Sequence, residues 1–179
     1  MIRIGAGTLA GRSIEQPKTH KTRPMTQKSR ASIFNRLGDI EGLSVLDAYA
    51  GSGAIGIEAL SLGAKHATFI EQARSVAKVI QANLETLQLT AKSSVMNSSV
   101  SEAVKNLQGQ GFDIIIADPP YDKLEEGDID SVFKLLLKDG IGIISHSSRK
   151  AVLNLENVEL IDSRVYGDTT ISYYRAKIG

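Results

Sequence analysis

Between residues 44 and 145, short apolar segments typical of β-strands alternate with longer segments that have helical periodicity. The predicted strands cover residues 44–49, 66–70, 92–97, 112–117 and 141–145, and the predicted helices cover residues 54–62, 72–87, 99–108 and 128–138. Parallel strands need crossover connections of this length, and the crossover helices cover the sheet on both faces. The alternation therefore predicts an α/β fold with a mostly parallel sheet.

The first 38 residues have the pattern of a small β-hairpin followed by a helix. The predicted elements are strands at residues 2–6 and 11–15, a loop at residues 16–24, and a helix from Thr26 to about Leu37. Thr26 is a typical N-cap residue, and Gly38 follows the last residue of the helical pattern.

The last strand-like segments, residues 158–166 and 170–177, predict a C-terminal antiparallel hairpin around Gly167-Asp168. This hairpin brings the expected sheet to seven strands. We expect a single domain of residues 1–179, in which residues 39–179 form the core and residues 1–38 form an N-terminal extension.

The composition excludes several classes of protein. The chain has no cysteine, so disulfides and thiolate metal sites are excluded. His20, His66 and His146 are widely spaced and show no metal-ligand pattern, so we expect no metal. The sequence has no apolar run long enough to span a membrane and no signal-peptide segment. We therefore expect a cytoplasmic protein, and nothing in the sequence requires more than a monomer.

The charges are distributed unevenly along the chain. Residues 1–36 contain eight basic residues and one acidic residue, whereas the remainder contains 13 basic and 19 acidic residues. A basic arm on an acidic body indicates a polyanionic partner, although a solvated basic tail has the same composition. Phe34 is the only aromatic residue in the arm, which favours contact with phosphates over stacking on bases. The candidate phosphate-binding residues are Arg12, Lys18, Lys21 and Arg23.

The tetrapeptide Asp118-Pro119-Pro120-Tyr121 directly follows the apolar strand predicted at residues 112–117. Two prolines cannot continue a strand ladder, so the chain forms a rigid elbow that presents a carboxylate and an aromatic ring. Ligands bind at this end of the strands in open α/β sheets. A rigid acceptor beside a flat ring suits a planar substrate with an exocyclic amine, such as a nucleobase. A proline-rich turn with Tyr121 covering the core is the alternative interpretation.

A glycine-rich turn, Gly51-Ser52-Gly53-Ala54-Ile55-Gly56, follows the first central strand and opens a helix. Small residues there let a ligand approach the backbone amides at the helix N-terminus. The turn matches the dinucleotide fingerprint G-x-G-x-x-G, and Glu71 follows at a distance that suits a ribose diol. The turn and Glu71 fit either a dinucleotide or S-adenosylmethionine, since both ligands carry a ribose.

Asp47 distinguishes between these two ligands. It lies in the strand shortly before Gly51, where a carboxylate would repel a pyrophosphate. The same carboxylate suits S-adenosylmethionine, which has an ammonium group, a sulfonium and no phosphate. We therefore predict a site for S-adenosylmethionine in which Asp47 binds the ammonium group, Ala50, Gly51 and Gly53 admit the ligand, and Glu71 receives the ribose hydroxyls. A turn capped by Asp47 and a solvated Glu71 is the alternative.

With these two motifs the chain resembles the class I methyltransferases, and more closely the bacterial small-subunit rRNA guanine-N2 methyltransferase family of the RsmD type. The segment Val45–Leu60 and the Asp-Pro-Pro-Tyr motif carry the resemblance. Three terminal segments point to this family in particular: Arg3–Arg12, Thr22–Asn35 and Tyr166–Arg175. The resemblance implies a Rossmann-like fold, S-adenosylmethionine as the cofactor, and 16S rRNA or the assembling small ribosomal subunit as the partner. It also implies that the tetrapeptide is the catalytic motif.

The sequence departs from the family pattern at four places. Met25 separates Pro24 from Thr26, where the family usually has a threonine directly after Arg-Pro. The helix has Ser29-Arg30-Ala31 in place of Val-Arg-Glu. After the third central strand, Asn97 and Ser98 stand where an aspartate often receives the adenine amine, and we expect one of them to take this role. Ser145 replaces a common acidic residue.

Four other functions are compatible with parts of the sequence. A DNA adenine-N6 methyltransferase uses similar chemistry, but it usually has a recognition region for which this chain has little room. A protein amide methyltransferase also fits the proline elbow. A nicotinamide oxidoreductase fits the glycine turn alone, although the chain has no Tyr-x-x-x-Lys proton donor. A non-catalytic RNA-binding relic of the fold is the last alternative, and an intact Asp118 and Tyr121 argue against it.

Overall fold

The protein folds around a seven-stranded mixed sheet with helices on both faces, in a computed structural model that describes residues 1–18 and 24–177. The strands are β1 Ile2–Arg3, β2 Ser13–Ile14, β3 Ser44–Asp47, β4 His66–Ile70, β5 Ser93–Met96, β6 Phe112–Ala117, β7 Leu136–Ser147, β8 Val158–Tyr166 and β9 Thr169–Ala176. The helices are α1 Gln27–Leu37, α2 Ala54–Ser61, α3 Arg74–Thr86, α4 Val100–Asn106 and α5 Glu126–Phe133. Short 3-10 turns lie at Thr90–Lys92 and Tyr121–Lys123.

The strand order of the large sheet is β5-β4-β3-β6-β7-β9-β8. The first five strands are parallel, and β9 pairs antiparallel with both β7 and β8. The chain runs from β3 outward to β4 and β5, and then returns to β6 on the other side of β3. The predicted fold class is therefore confirmed, and the strand order reverses between β3 and β6.

The central strands are buried because their side chains supply both layers of the core. Ile114 and Ile116 of β6 pack into one apolar cluster, whereas Ile115 and Ala117 pack into the other. Strands that are covered on both faces have continuous apolar runs instead of an alternating pattern. This explains why β6 could be identified from its sequence, and its predicted bounds are confirmed.

The N-terminal hairpin is shorter than predicted, because β1 and β2 have two residues each. The segment between them turns at Gly7 and Gly11, whose φ angles of 84° and 86° favour glycine. Gly7 also lies against α2, since a Cβ at this position would be 2.1 Å from the carbonyl oxygen of Ser61. Because this turn packs on the C-terminal end of α2, its residues cannot continue β1 and β2 to the predicted lengths.

The helix α1 begins as predicted. The Thr26 hydroxyl accepts a hydrogen bond from the Ser29 amide, and the Gly38 amide donates to the carbonyl of Phe34. Arg30, on the buried face, donates from Nε to Glu58 of α2 at 2.7 Å and from Nη2 to the carbonyl of Arg3 at 2.8 Å. One cation of the basic arm is therefore structural, since it joins α1, the hairpin and α2.

The segment after α5 differs from the prediction. A helix was predicted at residues 128–138, but α5 ends at Phe133 and β7 begins at Leu136. A short apolar run such as Leu135-Leu136-Leu137 has the same pattern in a buried strand and in a helix. Between the pairs Phe112–Leu136 and Ile114–Ile141, β6 advances two residues while β7 advances five. The extra residues include Asp139, which has a φ of 63°.

Candidate active site

The carboxyl ends of four neighbouring strands carry most of the polar residues predicted from the sequence. Asp47 ends β3, Glu71 follows β4, Asn97 follows β5 and Asp118 follows β6. These strands are adjacent in the order β5-β4-β3-β6, so the four residues lie side by side at the carboxyl ends of the strands. The strand order reverses between β3 and β6, and open α/β sheets bind their ligands at the carboxyl ends of the strands at such a reversal.

Asp47 is a buried carboxylate with one unused oxygen. Its side chain has no exposed surface, and Oδ2 accepts a hydrogen bond from the Gly56 amide at 3.1 Å. Oδ1 is buried and has no hydrogen-bond partner among the described residues. Burial raises the pKa of Asp47 to about 7, the Gly56 amide lowers it in part, and the charges of Asp118 and Glu71 raise it further. A cationic group beside Oδ1 would satisfy this oxygen and favour the ionised form.

The glycine turn leaves room above the end of β3. Gly51 has a φ of 54°, and a Cβ built on it would meet no atom within 4 Å. Gly53 has a φ of 82° and is the N-cap of α2. Ala50 is buried, and its amide donates to the carbonyl of Ile70 at 2.9 Å. The turn therefore lies across the ends of β3 and β4, with open space at Gly51.

Glu71 supports the glycine turn directly, a contact that its spacing from Gly51 did not indicate. Its Oε2 accepts a hydrogen bond from the Gly51 amide at 2.9 Å, and its Oε1 accepts one from the Ala73 amide at 2.9 Å. Each carboxylate oxygen can accept a second hydrogen bond, so the residue retains capacity for a ligand hydroxyl. Glu71 therefore has a structural contact in addition to its predicted ribose contact.

Asn97 and Ser98 lie beside Glu71, at the end of β5. The Asn97 Nδ2 donates to the carbonyls of Glu71 and Gln72 at 2.9 and 3.0 Å, so this amide group holds the end of β4. The Ser98 hydroxyl donates to the carbonyl of Ser99 at 3.2 Å. The adenine contact predicted for one of these two residues stays a prediction.

The tetrapeptide forms the elbow that its prolines predict. Pro119 is buried, and Pro120 precedes the 3-10 turn that begins at Tyr121. Burial raises the pKa of Asp118 to about 6, and the hydroxyl of Ser145 lowers it by a smaller amount. The Tyr121 hydroxyl is hydrogen-bonded to Ser145 at 2.8 Å and to Thr169 at 2.9 Å. Tyr121 is therefore fixed to β7 and β9 through its hydroxyl, and it does not simply cover the core.

Ser145 and Thr169 are the contacts that the sequence prediction missed. Ser145 is 2% exposed and follows Ile144, which pairs with Ala117 of β6. Because β6 and β7 are parallel, the residue after Ile144 is the neighbour of the residue after Ala117, which is Asp118. The order of the strands, which cannot be deduced from one strand pattern alone, was the missing information.

Two of the four predicted phosphate-binding residues, Arg12 and Lys18, lie within the described residues, and they lie in different parts of the structure. Arg12 is exposed in the hairpin, whose turn packs on the C-terminal end of α2, whereas the site lies at the N-terminal end of α2. Lys18 is exposed and follows Glu15, which is hydrogen-bonded to Asn83 beside the glycine turn. Lys21 and Arg23 lie outside the described residues.

A second basic pair, Arg149 and Lys150, lies at the carboxyl end of β7 and was not among the predicted residues. Both side chains are exposed. The turn that carries them is held by the Lys150 amide, which donates to the carbonyl of Ser147 at 3.1 Å, and by the Ser148 amide, which donates to the carbonyl of Asp168 at 2.9 Å. Because β7 is parallel to β6, the pair lies at the same end of the strands as Asp118.

Within residues 1–18 and 24–177, no helix has the length and hydropathy required to cross a membrane. Likewise, no group of three or more histidine, cysteine, aspartate or glutamate side chains in these residues is arranged to hold a metal ion.

The sheet order, the glycine turn after β3 and the proline elbow after β6 together define a class I methyltransferase fold. A family model described as Conserved hypothetical protein 95 matches residues 2–175, and the chain belongs to this family, the RsmD family. The resemblance predicted from the sequence is therefore confirmed at the level of the family.

Individual relatives agree with this assignment. The chain is similar to the solved structure of yhhF from Escherichia coli, with a TM-score of 0.87, 30% identity and coverage of 99% of both chains. It is 36% identical to ribosomal RNA small subunit methyltransferase D of Escherichia coli K12 over 78% of this chain and 68% of the relative. It is 32% identical to YlbH of Bacillus subtilis over 98% of this chain and 100% of the relative.

Proposed function

We propose that this chain is an S-adenosylmethionine-dependent methyltransferase that methylates the exocyclic N2 of a guanine in small-subunit (16S) rRNA. The main observation in support is that Asp118, on its proline elbow, and Asp47, with its unused oxygen, lie at the carboxyl ends of the neighbouring strands β6 and β3, where the strand order reverses. The similarity to ribosomal RNA small subunit methyltransferase D of Escherichia coli supports the RNA substrate. Guanine 966 is the nucleotide that the family resemblance suggests.

The residues at the end of β3 fit the proposed cofactor. When bound, S-adenosylmethionine supplies an electrophilic methyl group. The orphaned Oδ1 of Asp47 would accept a hydrogen bond from its ammonium group, and the open space at Gly51 admits a ligand close to the backbone. Glu71 would bind the ribose hydroxyls. The buried carboxylate of Asp47 would repel a pyrophosphate, which disfavours a dinucleotide at this position.

Asp118 would orient the amine of the substrate. The lone pair of a guanine N2 is delocalised into the ring, so the amine is a poor nucleophile. The carboxylate of Asp118 and the backbone carbonyl of Pro119 would accept its two hydrogens and reduce this delocalisation. Tyr121 would stack on the extruded base, with its ring held in place by its hydroxyl. Much of the rate would come from this alignment.

Glu71→Ala is expected to weaken the binding of S-adenosylmethionine by about 10- to 100-fold, because it removes both the ribose acceptor and the support of the Gly51 amide. Isothermal calorimetry measures the affinity directly. Glu85→Ala, an exposed glutamate on α3, is the matched control. An unchanged affinity in the Glu71 variant would remove this residue from the cofactor site.

Lys18→Ala and Arg149→Ala are each expected to weaken RNA binding and to reduce the slope of log K against log salt by about one unit. Arg149 lies at the end of the strands that carries Asp118, and Lys18 follows Glu15, which is hydrogen-bonded to Asn83 beside the glycine turn. Each phosphate contact releases counterions. The control is Lys65→Ala, which removes the same charge from an exposed lysine just before β4, at the amino ends of the strands. Fluorescence anisotropy over a salt series gives the slopes. Equal slopes in all three variants would show that these cations do not contact phosphates.

A methyl-transfer assay tests the proposed function. Labelled S-adenosylmethionine is incubated with unmethylated small-subunit particles, free 16S rRNA, duplex DNA and a protein extract, and the products are analysed as nucleosides and amino acids. N2-methylguanosine in the ribosomal samples alone is the expected result. N6-methyladenosine in DNA or methylation of a protein amide would replace the proposed substrate. Cofactor binding without transfer to any sample would favour a non-catalytic RNA-binding protein.

A further inference from the structure

We propose that Ser145 is a positioning residue that joins the two functional side chains of the elbow, Asp118 and Tyr121, through one chain of hydroxyl groups anchored at Thr169. This inference rests on the proposed function, because it assigns Asp118 and Tyr121 to the reaction. Ser145 would not contact the substrate. It would act by fixing the direction and the charge of the residues that do.

The positions of the strands bring these groups together. Ala117 of β6 pairs with Ile144 of β7, so Asp118 and Ser145 follow as neighbours at the ends of two parallel strands. On β9, Thr169 pairs with Ser147 and lies on the same face as Ser145. The Tyr121 hydroxyl lies between the hydroxyls of Ser145 and Thr169, at 2.8 and 2.9 Å. Two strands, β7 and β9, and the elbow that follows β6 therefore meet at one phenol oxygen.

The chemistry of hydroxyl groups gives this chain a direction. An ionised carboxylate only accepts hydrogen bonds, and each hydroxyl has a single proton to donate. If Ser145 donates its proton to Asp118, then Tyr121 must donate to Ser145, and Thr169 must donate to Tyr121. The ionised Asp118 thus orients all three hydroxyls, and the bonds strengthen one another because Ser145 is 2% exposed.

The ionised form of Asp118 is the one that accepts the hydrogens of an amine. Burial disfavours this form and raises the pKa of Asp118 to about 6, while Ser145 opposes the effect of burial. Among the described residues, Asp47 on β3 is the carboxylate whose pKa the charge of Asp118 raises, Glu71 lies beyond it on β4, and the phenol of Tyr121 lies on the elbow. The exposed Arg149 and Lys150 follow β7 at the same end of the strands as Asp118. His146 lies on the opposite face of β7, where its Nε2 is hydrogen-bonded to Ser172 at 2.9 Å. Ser145 is therefore the neighbour that favours the ionised form.

Ser145→Ala tests this inference. We expect kcat to fall by about 10- to 100-fold, as for the loss of a hydrogen bond to a charged group, with the affinity for S-adenosylmethionine unchanged. The acid limb of the pH–kcat profile, measured at saturating cofactor, should move to higher pH because Asp118 has lost a donor. Ser163→Ala, which removes a serine hydroxyl from the exposed strand β8, is the matched control. A Ser145 variant with normal kcat and an unmoved acid limb would overturn the inference.

Two further measurements keep the inference testable under other outcomes. Thr169→Ser retains the hydroxyl at the end of the hydrogen-bonded series and is expected to be more active than Thr169→Val. Equal activity of the two variants would contradict the proposed series of hydrogen bonds. If the wild-type protein methylates no substrate, the proposed function fails, but the pKa of Asp118 remains measurable by carbon-13 NMR, with Asp118→Asn as the assignment reference. A higher pKa of Asp118 in Ser145→Ala than in the wild type would support the inference, and an equal pKa would overturn it.

Discussion

The Asp118→Ala protein is expected to bind S-adenosylmethionine normally and to lose roughly 10²- to 10⁴-fold in kcat. The methyl side chain leaves the substrate amine with one acceptor, the carbonyl of Pro119, so the amine is poorly oriented and its lone pair stays delocalised. Single-turnover methyl transfer measures the loss. Calorimetry of the same sample measures the affinity for the cofactor.

Cofactor binding should survive this substitution for an electrostatic reason. The charge of Asp118 raises the pKa of Asp47, which works against the ionised form that binds an ammonium group. Removing Asp118 should therefore leave the affinity near pH 7 equal or slightly higher. A loss of both turnover and cofactor affinity would instead show that Asp118 supports the cofactor site.

Unfolding is a poor explanation for lost turnover in this variant, because Asp118 has a raised pKa and its ionised form therefore destabilises the folded protein above pH 6. The melting temperature of Asp118→Ala at pH 8 should equal or exceed that of the wild type. Asp122→Ala removes an exposed carboxylate four residues away and should leave turnover unchanged. Near-normal turnover in Asp118→Ala would contradict the catalytic assignment.

The parts of the fold that could be predicted from the sequence are those where one local pattern had one stable outcome. The continuous apolar run of β6 is too short for a helix between two turn segments, and the two prolines after Asp118 permit only an elbow. Thr26 and Gly38 bound α1 because each has a specific capping contact. In contrast, the predicted strand began at residue 141, five residues after the observed start of β7 at Leu136, because three consecutive leucines fit either a helix or a buried strand.

The candidate site divides in the same way. Glu71 and Asp118 could be predicted because each directly follows a predicted strand, and the carboxyl ends of parallel strands meet on one side of the sheet. Asp47 was predicted inside a strand of residues 44–49, but β3 ends at Asp47 itself. That Asp118 and Ser145 are neighbours depends on which strand lies beside β6, and this order is a long-range property. The net charge of the N-terminal arm did not show which of its cations are free to bind a phosphate, because the arm's residues lie in different environments. Arg30, for example, is buried against Glu58.

Asp47→Asn is expected to stabilise the free protein at pH 8 and to weaken the binding of S-adenosylmethionine by about 100-fold or more. The pKa of Asp47 rises from 3.8 to about 7 on folding, so the ionised carboxylate destabilises the folded state. A difference of this size corresponds to about 4 kcal/mol above pH 7. Asparagine removes the charge but leaves an amide donor at the position of the orphaned Oδ1, which costs about 1–3 kcal/mol.

The net gain of about 1–3 kcal/mol should raise the melting temperature at pH 8 by roughly 3 to 9 °C. The gain should shrink as the pH falls from 7 towards 4, because Asp47 then takes up a proton in the folded state and the wild type loses its penalty. Saturating cofactor should reverse the order of the two melting temperatures, since only the wild type binds it tightly. Asp122→Asn should change neither quantity. A variant with unchanged cofactor affinity would show that the buried carboxylate of Asp47 has a structural function, and its unused oxygen would then need a ligand other than an ammonium group.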